Sequence, residues 1–247
     1  MHETPAGTAS QANFEEQQRR LTVPNTIMER IDVLKGTNFK GKLFVLFEWI
    51  TRMAYVNVLW IVFTVLGLVI LGLFPATSAM FVLIRRWVRG EDDFSVFSLF
   101  WKTYKNDFWK ANAFGWIMAG LGIILYLDYI FFSSSDTTLF FLLKSFTIML
   151  LFVYGLILVM IFPVFAHYKL TLIHLFRNTI FIAMLHPLKS LTAISGITFI
   201  GFVMFLLPTL FPFFGGSLSA LFLTWVAQMM FRKIDERQEE GLKMDDK

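Results

Sequence analysis

The chain has 247 residues, of which 56% are apolar, 17% aromatic and only 16% charged, with a formal net charge of +4. A soluble domain of this length cannot hide so much apolar surface, and several runs approach the roughly 20 residues that a helix needs to cross hydrocarbon. The lack of cysteine excludes disulfides, thiolate metal sites and thiol catalysis, and a small positive charge placed between apolar runs marks membrane boundaries rather than a nucleic-acid surface.

Residues 1–41 read as a polar tail in which "PNTIMERIDVLKG" predicts a short helix between Pro24 and Gly36, with Ile27, Ile31 and Leu34 on one face. "FKGKLFVLFEWITR" then mixes Phe39, Leu43, Phe47 and Ile50 with Lys40, Lys42, Glu48 and Arg52, the pattern of an interfacial helix on which Glu48 and Arg52, four apart, can pair. The first apolar run begins only near Leu43, so it is expected to be a retained span and not a cleaved signal peptide. The membrane domain, residues 42–231, is expected to be all-α with about five transmembrane helices, at 53–74, 113–132, 139–165, 191–211 and 213–231. Between the first two spans, Phe94, Phe97, Trp101, Tyr104 and Phe108 recur at three- and four-residue steps among Lys102, Lys105 and Lys110, which predicts an amphipathic helix on the membrane surface. A second surface helix is predicted within 169–190. Residues 232–247 form a charged tail.

The connections 75–112 and 166–190 and the C-terminal tail are rich in Lys and Arg, whereas 133–138 and 212–217 have none, so the first three are expected in the cytoplasm. Five spans then put the N-terminal tail outside, against the seven Lys and Arg that precede the first span at residue 53. The alternative that reconciles them is a chain reversal at Pro75, with residues 76–89 returning as a short re-entrant helix. Pro75 and Pro163 each follow a Phe and are expected to break their helices. Their 88-residue spacing suggests a two-span unit used twice.

Residues 48–112 also carry a resemblance. Glu48-Trp49-Ile50, Arg52, Asn57, Trp60, Phe74-Pro75-Ala76-Thr77, Arg85-Arg86-Trp87, Phe100-Trp101 and Lys110-Ala111-Asn112 together resemble the YesL family of bacterial membrane proteins, grouped as a domain of unknown function. The resemblance implies a Gram-positive membrane protein whose gene neighbours often encode carbohydrate ABC importers. It brings no catalytic residues.

Chemistry is sparse. "GTNFKGKL", residues 36–43, comes close to a P-loop but has Leu43 where the magnesium-binding Ser or Thr belongs. His167 and His174 stand about 10 Å apart along a helix, too far to share a metal unaided. The Glu-Ala-Ala loop by which importer permeases dock on their ATPase is absent from 166–190. Asp128 and Lys144 flank the loop "SSSDTT" at nearly equal depth and are expected to form an intramembrane ion pair. Gly115, Ala119 and Gly122 form one small-residue stripe, and Gly216, Ala220, Thr224 and Ala227 another, as at close helix contacts in lipid.

The functional expectation is a non-enzymatic accessory or regulatory subunit of a carbohydrate uptake system. It would contact a partner or lipid through Arg85, Arg86, Trp87, Arg89, Trp101 and Lys105. The alternative is a small transporter or channel acting by itself. The expected partners are the bilayer, importer subunits or further copies of the chain; no nucleic acid and no cofactor is expected.

Overall fold

The computed structural model describes residues 39–135, 137–167, 172–185 and 187–245; the predicted N-terminal helix at 24–36 and the first three residues of the near-P-loop lie outside them. Among the described residues the fold is all-α. The helices are α1 (Phe39–Leu66), α2 (Leu73–Val88), α3 (Val96–Phe132), α4 (Thr138–His167), α5 (Leu172–Leu185), α6 (Pro187–Leu206) and α7 (Phe211–Asp245), with a 3₁₀ turn at Pro208–Leu210 before α7. Five stretches, in α1, α3, α4, α6 and α7, are long and apolar enough to span a bilayer. This is a multi-pass helical membrane protein.

The boundaries differ from expectation in three instructive places. The interfacial helix and the first span are one rod, α1, because nothing between Leu43 and Leu66 is Gly or Pro. The predicted surface helix and second span are likewise one 37-residue helix, α3. The first span ends at Leu66, not 74, and the chain reverses through Gly67–Gly72.

Pro75 is therefore not a helix break. It stands third in α2, where its missing N–H is one that no helical carbonyl would have met, so it starts the helix at no cost. Pro163 does not end α4 either: only one turn follows it before His167, so it removes a single late bond. One proline opens a helix and the other nearly closes one, which is not the equivalence a repeated unit requires.

α2 is the centre of the molecule, packed on α1, α3, α4 and α7. It buries Pro75, Ala76, Ser78, Ala79, Met80, Phe81, Leu83, Ile84, Trp87 and Val88. Arg85 and Arg86 in its last turn suit the negative end of the helix, and Gly90, at φ 82°, takes the left-handed conformation that stops it. The expected short helix after α4 is α5, which turns Leu175, Thr179, Ile182 and Ala183 inward and packs mainly on α4.

The small-residue stripes mark contacts, in two ways. On α3 they admit aromatic rings: the space beside Gly115 is filled by the Phe74 ring, and that beside Gly122 by Tyr154, whose hydroxyl donates to the Met118 carbonyl at 3.0 Å. On α7, Ala220, Thr224 and Ala227 are buried in a helix that packs on α1, α2 and α6.

Candidate functional site

Three groupings of polar side chains emerge from this packing. The first gathers where α1, the end of α2 and the α2–α3 loop meet. Arg52 donates to Asp92 at 2.7 Å and to Glu48, one helical turn back, while its guanidinium lies 5.3 Å from the Trp87 ring centroid. Trp87 in turn stacks on Phe94 at 6.1 Å, and Arg86 pairs with Glu91 at 3.6 Å. An open groove of about 410 Å³ beside this cluster is lined by Phe44, Phe47, Glu48, Thr51, Arg52, Tyr55, Trp87 and Val96.

The second is the outer face of the first half of α3. Phe100, Thr103, Tyr104 and Ala111 turn inward, which leaves Phe97, Trp101, Lys105 and Trp109 on the outside at four-residue steps. Trp109 is 81% exposed. The Lys105 ammonium sits 4.1 Å from the Trp101 ring centroid, a cation–π contact that keeps both in register.

The third is the fully buried Asn57 on α1. Its Oδ1 accepts from the backbone N–H groups of Gly216 and Ser217, each at 3.0 Å, and its Nδ2 donates to the carbonyls of Pro212 at 2.6 Å and Phe211 at 3.3 Å. One side chain thus ties four backbone groups of α7 to α1. Gly216 makes this possible, since a Cβ there would stand 3.1 Å from the same Oδ1.

The residues expected to meet a partner divide accordingly. Arg86, Arg89, Trp101 and Lys105 keep exposed surface. Arg85 instead reaches the other way and donates to the Ala166 carbonyl at 2.7 Å, satisfying one of the last carbonyls of α4. Trp87 is buried beneath Arg52. Both are internal supports, a role that composition gave no means to separate from surface contact.

Asp128 and Lys144 do not form the expected bridge. The Lys144 ammonium lies 5.6 Å from the ring centroid of Tyr129, one residue beyond Asp128 and so about 100° further round α3. The salt bridges among the described residues are Arg52 with Glu48 and Asp92, and Arg86 with Glu91. Asp128→Asn and Lys144→Met should therefore be additive in unfolding free energy to within about 0.5 kcal/mol. A double-mutant cycle in mixed micelles that returned a coupling well above that value would restore the pair.

His167, half-buried, faces the Phe231 ring at 4.2 Å between centroids. Among the described residues no three His, Asp or Glu side chains converge as a metal site would need.

Residues 53–129 match the family described as protein of unknown function, DUF624. The stretch includes Asn57, all of α2 and the exposed face of α3. Three proteins of Bacillus subtilis (strain 168) are similar over most of their lengths. The uncharacterized protein YesV is 34% identical over 194 residues, 78% of this chain and 93% of its own. YesL is 33% identical over 192 residues, 78% and 90% respectively, and YteU 32% over 203 residues, 81% and 90%. No solved structure matches the chain.

Proposed function

This chain belongs to the DUF624 family of YesL-like membrane proteins, and we propose that it is a non-enzymatic accessory subunit that binds a membrane partner through the exposed face of α3. The observation that carries this reading is the row Phe97, Trp101, Lys105 and Trp109, flanked by Lys102 and Lys110. Large aromatic and basic side chains on one face are the composition of an interaction surface. A buried opposite face and the α2 packing hold that row rigid. The choice of a carbohydrate importer as the partner rests on what the family resemblance implies about neighbouring genes.

The rival reading, a transporter acting alone, drew on an Asp128–Lys144 pair and on a repeated two-span unit. The described residues bring together neither, so the accessory role is favoured.

Deletion of the gene should lower sugar uptake, and the wild-type chain should restore it. A chain with Lys105→Glu and Trp109→Ala should reach the membrane in equal amount yet fail to restore uptake. Normal uptake in the deletion strain, or full rescue by the double variant, would remove the proposal. Lys105 and Trp109 suit the test because neither supports the core.

A further inference from the structure

We propose that the groove beside Arg52 is the seat of the chain's own N-terminal segment: residues 24–35 fold back as a helix antiparallel to the start of α1 and lay Ile27, Ile31 and Leu34 along it. This inference is independent of the accessory role.

The groove asks for an occupant with one apolar face. Phe44, Phe47, Thr51 and Tyr55 follow one another at three- and four-residue steps and so form one strip along α1, about 16 Å from end to end. Phe44 is 73% exposed and Phe47 62%. The surroundings of the strip are polar, since Glu48 and Arg52 line the same groove and Asp92 accepts from Arg52 at 2.7 Å. Ion pairs of this kind belong at a membrane face, where a lipid tail is a poor cover and an amphipathic helix a good one.

The segment that precedes α1 has that form. Ile27, Ile31 and Leu34 stand at i, i+4 and i+7, the anchors of a helix laid in a groove, whereas Glu29 and Asp32 fall on the other side. From Ile27 to Leu34 such a helix covers about 10 Å, which the strip can hold. The linkage leaves little choice of place, because only Gly36, Thr37 and Asn38 separate Lys35 from Phe39, the first residue of α1. Gly36 suits a helix end and Asn38 a helix start. Two helices joined by so few residues lie antiparallel and side by side.

That geometry sets a register. Counted outward from Thr37 along both helices, Ile27 comes opposite Phe47, and Ile31 comes opposite Leu43, next to Phe44. The apolar anchors of the segment thus meet the two exposed rings. Charge agrees with the same direction: Arg30, at the edge of the apolar stripe, comes within one turn of Glu48, whose side chain keeps 37% of its surface.

The chain has no cysteine, so an introduced pair reacts alone. In native membranes a short bismaleimide should join Ile27→Cys to Phe47→Cys within one chain. Trypsin, which cuts after Arg20, Arg30, Lys42 and Arg52, should then release residues 21–30 tied to residues 43–52 from the monomer band, as read by mass spectrometry. Phe47 is exposed, so its replacement leaves the core intact. Glu29→Cys with Phe47→Cys, on the far side of the same helix, should link several-fold more slowly. Equal rates for Ile27→Cys and Glu29→Cys would mean a tail without a seat, and links between two chains, seen as a dimer, would give the groove to a second copy. Either result, or no link at all, overturns the proposal.

Discussion

Replacing Asn57 by leucine is expected to lower the unfolding free energy by about 2–4 kcal/mol, because leucine fills the space and bonds to none of the four backbone groups that the amide now serves. The size follows from two limits. A buried polar group left without its partner costs about 1–3 kcal/mol, while interhelical polar contacts in membranes have averaged well under 1 kcal/mol per pair. Four groups on one fully buried side chain place the sum between these. Asn57→Ala should cost less on the polar side, since the room it leaves lets the first turns of α7 tighten their own i→i+4 bonds. Leucine forbids that relaxation. Unfolding in mixed micelles followed by tryptophan fluorescence would rank the variants. If both stayed within about 0.5 kcal/mol of wild type, the Asn57 amide would not be what fastens α7 to α1.

The number and approximate position of the helices long and apolar enough to cross a bilayer could be read from hydropathy alone, because apolar length is set by the bilayer and not by neighbours. The reversal after α1 could not. The sequence offered Pro75 as the obvious interruption, yet a proline in the first turn of a helix interrupts nothing. The real turn lies in "GLVILG", which contains no polar residue and places Leu68 and Val69, not a glycine, at positive φ. Each is held there at a cost of about 1–2 kcal/mol that local propensity would have avoided. Asn57 posed a different problem. An asparagine in an apolar run signals a polar contact, but its partners are 154–160 residues away, and the only trace of them in the sequence was the Gly215-Gly216 pair. The exposed row on α3 was legible because its four-residue step is local. Which of the basic and aromatic residues beside it were internal was not, since Arg85 and Trp87 are assigned by α4 and α1.

Gly72→Ala should destabilise the protein by about 3 kcal/mol, the upper end of what an overpacked methyl costs, because everything the new methyl would strike is backbone. A Cβ at position 72 would lie 2.8 Å from the Phe63 carbonyl oxygen and 2.9 Å from the Thr64 Cα, and closer still to the Thr64 carbonyl oxygen. None of these can swing aside as a side chain can. The Thr64 oxygen is also the acceptor for the Val69 N–H at 2.8 Å, so pushing it away loosens the bond that holds Val69 at positive φ. Gly67, whose own Cβ would run into Gly72, closes the other side of the same contact. Gly120→Ala is the control of opposite sign. It lies in the interior of α3 with nothing within 4 Å of its Cβ position, so alanine should stabilise by about 0.5–1 kcal/mol through helix propensity. Comparable stability of the two variants would mean that α1 and α2 do not approach through these glycines, and the hairpin that α2 forms with α1 would need another hinge. A large loss at Gly72 with a gain at Gly120 would place the stability of the central helix in a backbone contact only two glycines can make.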